Sequence, residues 1–101
     1  MHKNTLKVIA TMNALQGKEK DLQDVLINLI DPTRKEPGCI SYILLINISD
    51  QTEYTFFEEW KTEKDLEAHM QSAHFQEAIS KIDGLIDSEP EIKQYYSMET
   101  G

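Results

Sequence analysis

The spacing of apolar residues changes once in this chain, at Trp60, and that change limits what the chain can fold into. Before it the period is two. Tyr54, Phe56, Glu58 and Trp60 fall on one face of a strand, and Thr55, Phe57 and Glu59 on the other. After it the period is helical. Thr62, with Asp65 three residues on, is a capping-box variant that opens a helix, and Leu66, His69 and Met70 share one side of it. Ser72 is a second N-cap, followed at helical spacing by Phe75, Ala78, Ile79 and Ile82. A strand, a turn and two short helices therefore run from Phe56 to Ile82. Glu58 stands between two aromatics on the strand face. If that face is buried, the carboxyl needs a partner or a shifted pKa. A slip of one residue in register would exchange it with Glu59.

The flanking segments complete a pattern. Leu6, Val8, Ala10 and Met12 alternate as a strand with one face inward, and Gly17 ends it. Leu22, Val25, Leu26, Leu29 and Ile30 form the core-packing stripe of a helix. Pro32 weakens that helix or opens its last turn, and Glu36-Pro37-Gly38 ends it. Cys39 to Asn47 is almost wholly apolar or β-branched, so a strand buried on both faces is expected. Ser49 to Thr52 reads as a hairpin turn, and strand 53–60 returns antiparallel. Asp83-Gly84 closes the second helical segment. Glu89-Pro90 opens a last strand, in which Ile92, Gln94 and Tyr96 alternate with Lys93 and Tyr95. The order β-α-β-β-α-β, with the second α split, predicts an α+β ferredoxin-like fold with helices on one face of an antiparallel sheet. The opposite face is expected to carry aromatics, Met and Tyr, and must be covered by a ligand or a second sheet. One domain over 1–101 is expected, with 1–5 and 98–101 as flexible ends.

Charge and composition narrow the partners. The formal net charge of −8 argues against nucleic acid and against anionic membrane surfaces. No apolar run approaches the ~20 residues that cross a bilayer, and the start has no apolar leader segment. The lone Cys39 fits a reducing cytoplasm. There is no Gly-rich phosphate loop, CxxC or HExxH. Acid–base chemistry near neutrality falls to His2, His69, His74 and any perturbed carboxyl. His2 lies in the polar terminus and is set aside. His69 sits near a helix C-terminus, which favours imidazolium, and His74 near a helix N-terminus, which favours the neutral ring. Glu58 with two histidines is a weak ligand set without metal-site spacing, so no metal is expected.

The motifs Glu58-x-Trp60, Leu66-Glu67-Ala68-His69 and Ser72-x-His74-Phe75 together resemble the signature of the antibiotic biosynthesis monooxygenase family, the small quinol monooxygenase-like members above all. Ala10-x-x-x-Ala14 to Gly17-Lys18 resembles its first strand and turn. Arg34-x-Glu36-Pro37-Gly38-Cys39-x-Ser41-Tyr42 resembles its second-strand entry. The resemblance implies a dimeric α/β-barrel, a homodimer with one pocket per protomer. It implies a cofactor-independent monooxygenase that oxidises a quinol or aromatic phenol with O2, without metal or flavin. His74 or Glu58 would be the base, and His69 or Tyr42 would hold the oxyanion. Trp60, Phe56 and Phe75 would sandwich the ring, and Arg34 would orient a polar substituent. Two alternatives stay open: an isomerase or signal-molecule-processing enzyme, and a quinone-binding stress protein without turnover. The haem-degrading branch is set aside. Its strand Asn and helix His fall on Ala10 and Ile79 here, although its Trp matches Trp60.

Overall fold

A computed structural model describes residues 5–98. Seven elements follow in order: β1 (Leu6–Asn13), α1 (Glu19–Arg34), β2 (Cys39–Asn47), β3 (Asp50–Trp60), α2 (Glu63–Met70), α3 (Ala73–Ile82) and β4 (Glu91–Tyr96). The four strands form one sheet in the order β2-β3-β1-β4, with every neighbouring pair antiparallel. This is the ferredoxin-like α+β arrangement. The expectations for His2, and for flexible ends at 1–4 and 99–101, lie outside the described residues. Thr5 is anchored, its Oγ1 donating to Glu59.

Periodicity explains the core. Leu6, Val8, Ala10 and Met12 of β1 are buried, and so are Tyr54, Phe56, Glu58 and Trp60 of β3, while the residues between them are half-buried. Cross-strand pairing puts Ala10 opposite Phe56 and Val8 opposite Glu58, so these residues share the face under the helices. Leu22, Leu26 and Leu29 of α1 close on that face. Pro32 lies within α1, which continues to Arg34. Both predicted caps form. Thr62 Oγ1 accepts from the Asp65 amide at 3.1 Å, and Ser72 Oγ accepts from the Phe75 amide at 3.2 Å. After α3, Asp83 (φ −59°, ψ 126°) and Gly84 (φ +86°) turn the chain back, with the Leu85 amide on the Ile82 carbonyl at 2.8 Å. Only glycine adopts that second position without strain, as in a type II turn.

Two expectations are corrected. β2 is not buried on both faces: it is an edge strand, and Ile43 and Leu45 stay 42% and 49% exposed on the face away from the helices. An apolar run cannot distinguish a central strand from an edge strand whose outer face awaits a cover. The hairpin turn comes earlier than expected, at Ile48-Ser49, because Asn47 already pairs with Asp50. The outer face carries Ile9, Ile43, Leu45, Phe57 and Tyr95, read from the same pairing. It holds aromatics as expected, but Met12 is buried on the helix side.

Candidate active site

The inner face of β3 and the helices α2 and α3 enclose a small apolar cavity of about 50 Å³. Its polar wall is Glu58 and His69, its aromatic walls are Tyr42, Phe56 and Phe75, and Ile79 and Ile92 stand at its mouth. Tyr42 and Phe56 stack at a centroid distance of 4.5 Å, because β2 and β3 set them on neighbouring rungs of one face.

Glu58 faces inward, so the register question is resolved. It is 5% exposed and takes a hydrogen bond from Trp60 Nε1–H at 2.9 Å. Burial pushes its pKa up to about 7, opposed by the Trp60 hydrogen bond and assisted by the charge of Glu36. Trp60 itself is wholly buried and lies behind the cavity wall, against His69 at 4.7 Å between rings. It shapes the wall by holding Glu58, and it does not line the space where a ring would lie. The Tyr42 phenol is pushed up by burial and by the charge of Glu58, so it stays a hydroxyl.

His69 is the second polar group of the wall, 1% exposed. Its Nδ1 lies 2.8 Å from Glu36 Oε2. The same oxygen lies 2.6 Å from His74 Nε2. His69 Nε2 is buried with no hydrogen-bond partner among the described residues. Burial pulls the His69 pKa down, the hydrogen bond and charge of Glu36 push it back up, and His74 lowers it further. The net direction is downward: desolvation outweighs the Glu36 carboxylate, and the imidazolium expected at this helix end is not favoured. The two histidines stand 6.1 Å apart between rings, but only His69 reaches the cavity. His74 stands outside it, about one-quarter exposed, with its Nε2 turned to Glu36. Arg34 also lies outside. Its Nε and Nη2 donate to the Tyr42 carbonyl at 3.0 and 2.8 Å, which ties the end of α1 to β2.

Glu36 is the functional candidate that sequence reasoning missed: the helix-ending turn and the strand-entry motif that contain it give its carboxylate no role in the site. Glu36, His69 and His74 also present three potential ligand atoms within 4.8 Å of one another. Both nitrogens are spent on a single oxygen at hydrogen-bond distance. A tetrahedral metal would need its ligand atoms about 3.3 Å apart and would displace two protons. Among the described residues no lysine or arginine lines the cavity, so it has no cation to hold a phosphorylated substrate. Ala10 and Ile79, the positions that matter for haem degradation, do line it, and neither side chain can ligate iron.

The sheet, the helices on one of its faces and the aromatic-lined cavity between them define a small ferredoxin-like α+β domain. The chain belongs to the antibiotic biosynthesis monooxygenase family, which matches residues 5–81. An uncharacterized protein of Synechocystis, sll1783, is 38% identical over 93 residues, covering 92% of this chain and 63% of its own length. The chain thus spans about three-fifths of the length of the curated relatives it matches. The crystal structure of PA3566 from Pseudomonas aeruginosa superposes with a TM-score of 0.91 at 29% identity, over 98% of this chain and 100% of that one. A conserved protein of Methanosarcina mazei superposes with a TM-score of 0.87 at 32% identity, over 91% of each chain. Within the described residues no helix is long and apolar enough to cross a membrane.

Proposed function

We propose that this protein is a cofactor-independent monooxygenase that oxidises a quinol or another small electron-rich phenol with molecular oxygen. The observation that carries this reading is the buried, unpartnered Nε2 of His69 at the wall of an apolar, aromatic-lined cavity. That nitrogen is an acceptor in want of a donor, and a phenolic O–H is a donor on a flat apolar body. His69 therefore replaces His74 as the base. Glu58, neutral below about pH 7, offers a second hydrogen-bond donor across the same wall.

The chemistry follows from proton removal. His69 Nε2 takes the phenolic proton, and the resulting phenolate gives up electrons to O2 more readily than the phenol does. One ring C–H becomes C=O with one oxygen atom, and the other oxygen leaves as water. The four electrons that O2 takes all come from the substrate. The apolar walls keep water from intermediates. At about 50 Å³ the cavity is smaller than the ~150 Å³ that holds benzene in an engineered cavity, so ring entry widens the mouth between Ile79 and Ile92. The same reading makes the working unit a homodimer, with a second copy's sheet on the apolar outer face, and places it in the cytoplasm on the strength of the lone Cys39.

Oxygen uptake with a panel of reduced quinols tests this. The native protein is expected to exceed autoxidation. His69→Ala is expected to lose at least ~100-fold of the enzyme-dependent rate, the usual scale of a general base. His74→Ala, which alters a group outside the cavity, is expected to lose ~10-fold or less. Quinone binding without uptake would instead favour a binding protein. Equal losses in both variants would remove His69 as the sole base.

A further inference from the structure

We infer that Glu36 is a positioning residue that holds His69 in the one tautomer whose free lone pair faces the cavity. The assignment rests on hydrogen-bond valence. A carboxylate oxygen only accepts, and Glu36 Oε2 has two imidazole nitrogens against it, His69 Nδ1 at 2.8 Å and His74 Nε2 at 2.6 Å. Both nitrogens therefore carry protons. A neutral imidazole has a single N–H, so a proton on Nδ1 leaves Nε2 of His69 as the bare acceptor. That atom is the one buried without a partner at the cavity wall.

Glu36 is built to hold still. Its amide donates to the Thr33 carbonyl at 3.0 Å, and its carbonyl accepts from the Cys39 amide at 3.0 Å. Pro37 restricts the chain immediately after it. Its side chain is 15% exposed, and two N–H donors converge on one of its oxygens. His74 is in turn fixed by the first turn of α3, which Ser72 caps. The clasp joins three separate pieces of chain: the α1–β2 turn, α2 and α3. The consequence for turnover rests on the reading of His69 as base. When Nε2 takes a proton from the substrate O–H, the imidazolium forms 2.8 Å from the Glu36 carboxylate. The negative charge stabilises it, as the buried acid does in a Ser-His-Asp triad. Glu36 touches no substrate and acts wholly through His69.

Long-range 1H–15N correlation of imidazole nitrogens in 15N-histidine-labelled protein reads the tautomer directly. The native His69 is expected to show a pyrrole-type Nδ1 and a pyridine-type Nε2. Glu36→Ala is expected to shift His69 towards the Nε2–H form. Glu36→Gln, whose amide oxygen can accept as the carboxylate does, is expected to keep the native tautomer and the fold. It is expected to lower kcat more than tenfold with KM within twofold, because the imidazolium loses its counter-charge. A protonated Nε2 in the native protein would overturn the inference, and so would an unchanged tautomer in a folded Glu36→Ala. The spectra need no turnover, so they stand even if no quinol is oxidised. Conversely, oxygen uptake lost in His69→Ala alongside a native Nε2–H would keep the proposed function and sink the role given to Glu36.

Discussion

At Glu58, burial and hydrogen bonding pull in opposite directions, and burial wins. Its pKa rises from 4.5 to about 7, although Trp60 Nε1–H donates to it. The sign for stability follows from linkage. Below pH 4.5 the group is protonated in both folded and unfolded chains and costs nothing. Between 4.5 and about 7 the unfolded chain releases its proton first, so stability falls as pH rises, and above about 7 the cost is full. A shift of that size corresponds to roughly 3 kcal/mol. Glu58→Gln removes the titration, so its stability relative to the native chain is expected to improve by roughly 2–3 kcal/mol from pH 5 to pH 8. Denaturant unfolding at the two pH values measures this, and a constant difference would mean that Glu58 titrates as it does in water. The burden of Glu58 was legible in the sequence, because a carboxyl flanked by Phe56 and Trp60 at a period of two either faces a core or defeats it. Glu36 was not legible. It lies 33 residues from His69 in a turn whose Pro37 and Gly38 already account for the local shape. No periodicity couples it to the helices it meets.

The two short helices are legible from their caps, and those caps start the helices that carry His69 and His74. Thr62 starts α2 and Ser72 starts α3, and one turn after each start the chain presents packed side chains to the sheet. Local hydrogen bonding between near neighbours is the kind of signal a sequence carries openly. Gly38 shows the opposite case. A Cβ there would run into the Cβ and carboxyl carbon of Asp65, the residue whose amide Thr62 caps. The turn after α1 and the start of α2 thus share one space, a contact that no local motif announces. Gly38→Ala is expected to cost about 1–3 kcal/mol, in line with overpacking. It is also expected to disturb the His69–Glu36 clasp through α2. A loss below 0.5 kcal/mol by chemical denaturation would show that Asp65 moves aside freely. The second strand marks the limit of pattern reading. β2 has the composition of a central strand, yet it lies at the edge of this sheet, since composition records that a face will be covered but not by which chain.

For the molecule as a whole, that uncovered face is the main consequence. Ile9, Ile43, Leu45, Phe57 and Tyr95 gather on the side of the sheet away from the helices. A face of this kind in a 101-residue chain fits the homodimer proposed above. Ile43→Lys is expected to convert the dimer to monomer in light scattering at micromolar concentration while the helical signal persists. A monomeric native protein would contradict the dimer and leave the cavity chemistry standing. The proposed function has this cavity put oxygen into a substrate whose proton His69 removes. It is tested most directly by turnover of a reduced quinol under 18O2, comparing the native protein with His69→Ala. The expected result is one labelled oxygen in the quinone product and one in water for the native protein, with the variant at the autoxidation background. Unlabelled product, both oxygens recovered as hydrogen peroxide, or full labelling in the variant would contradict it.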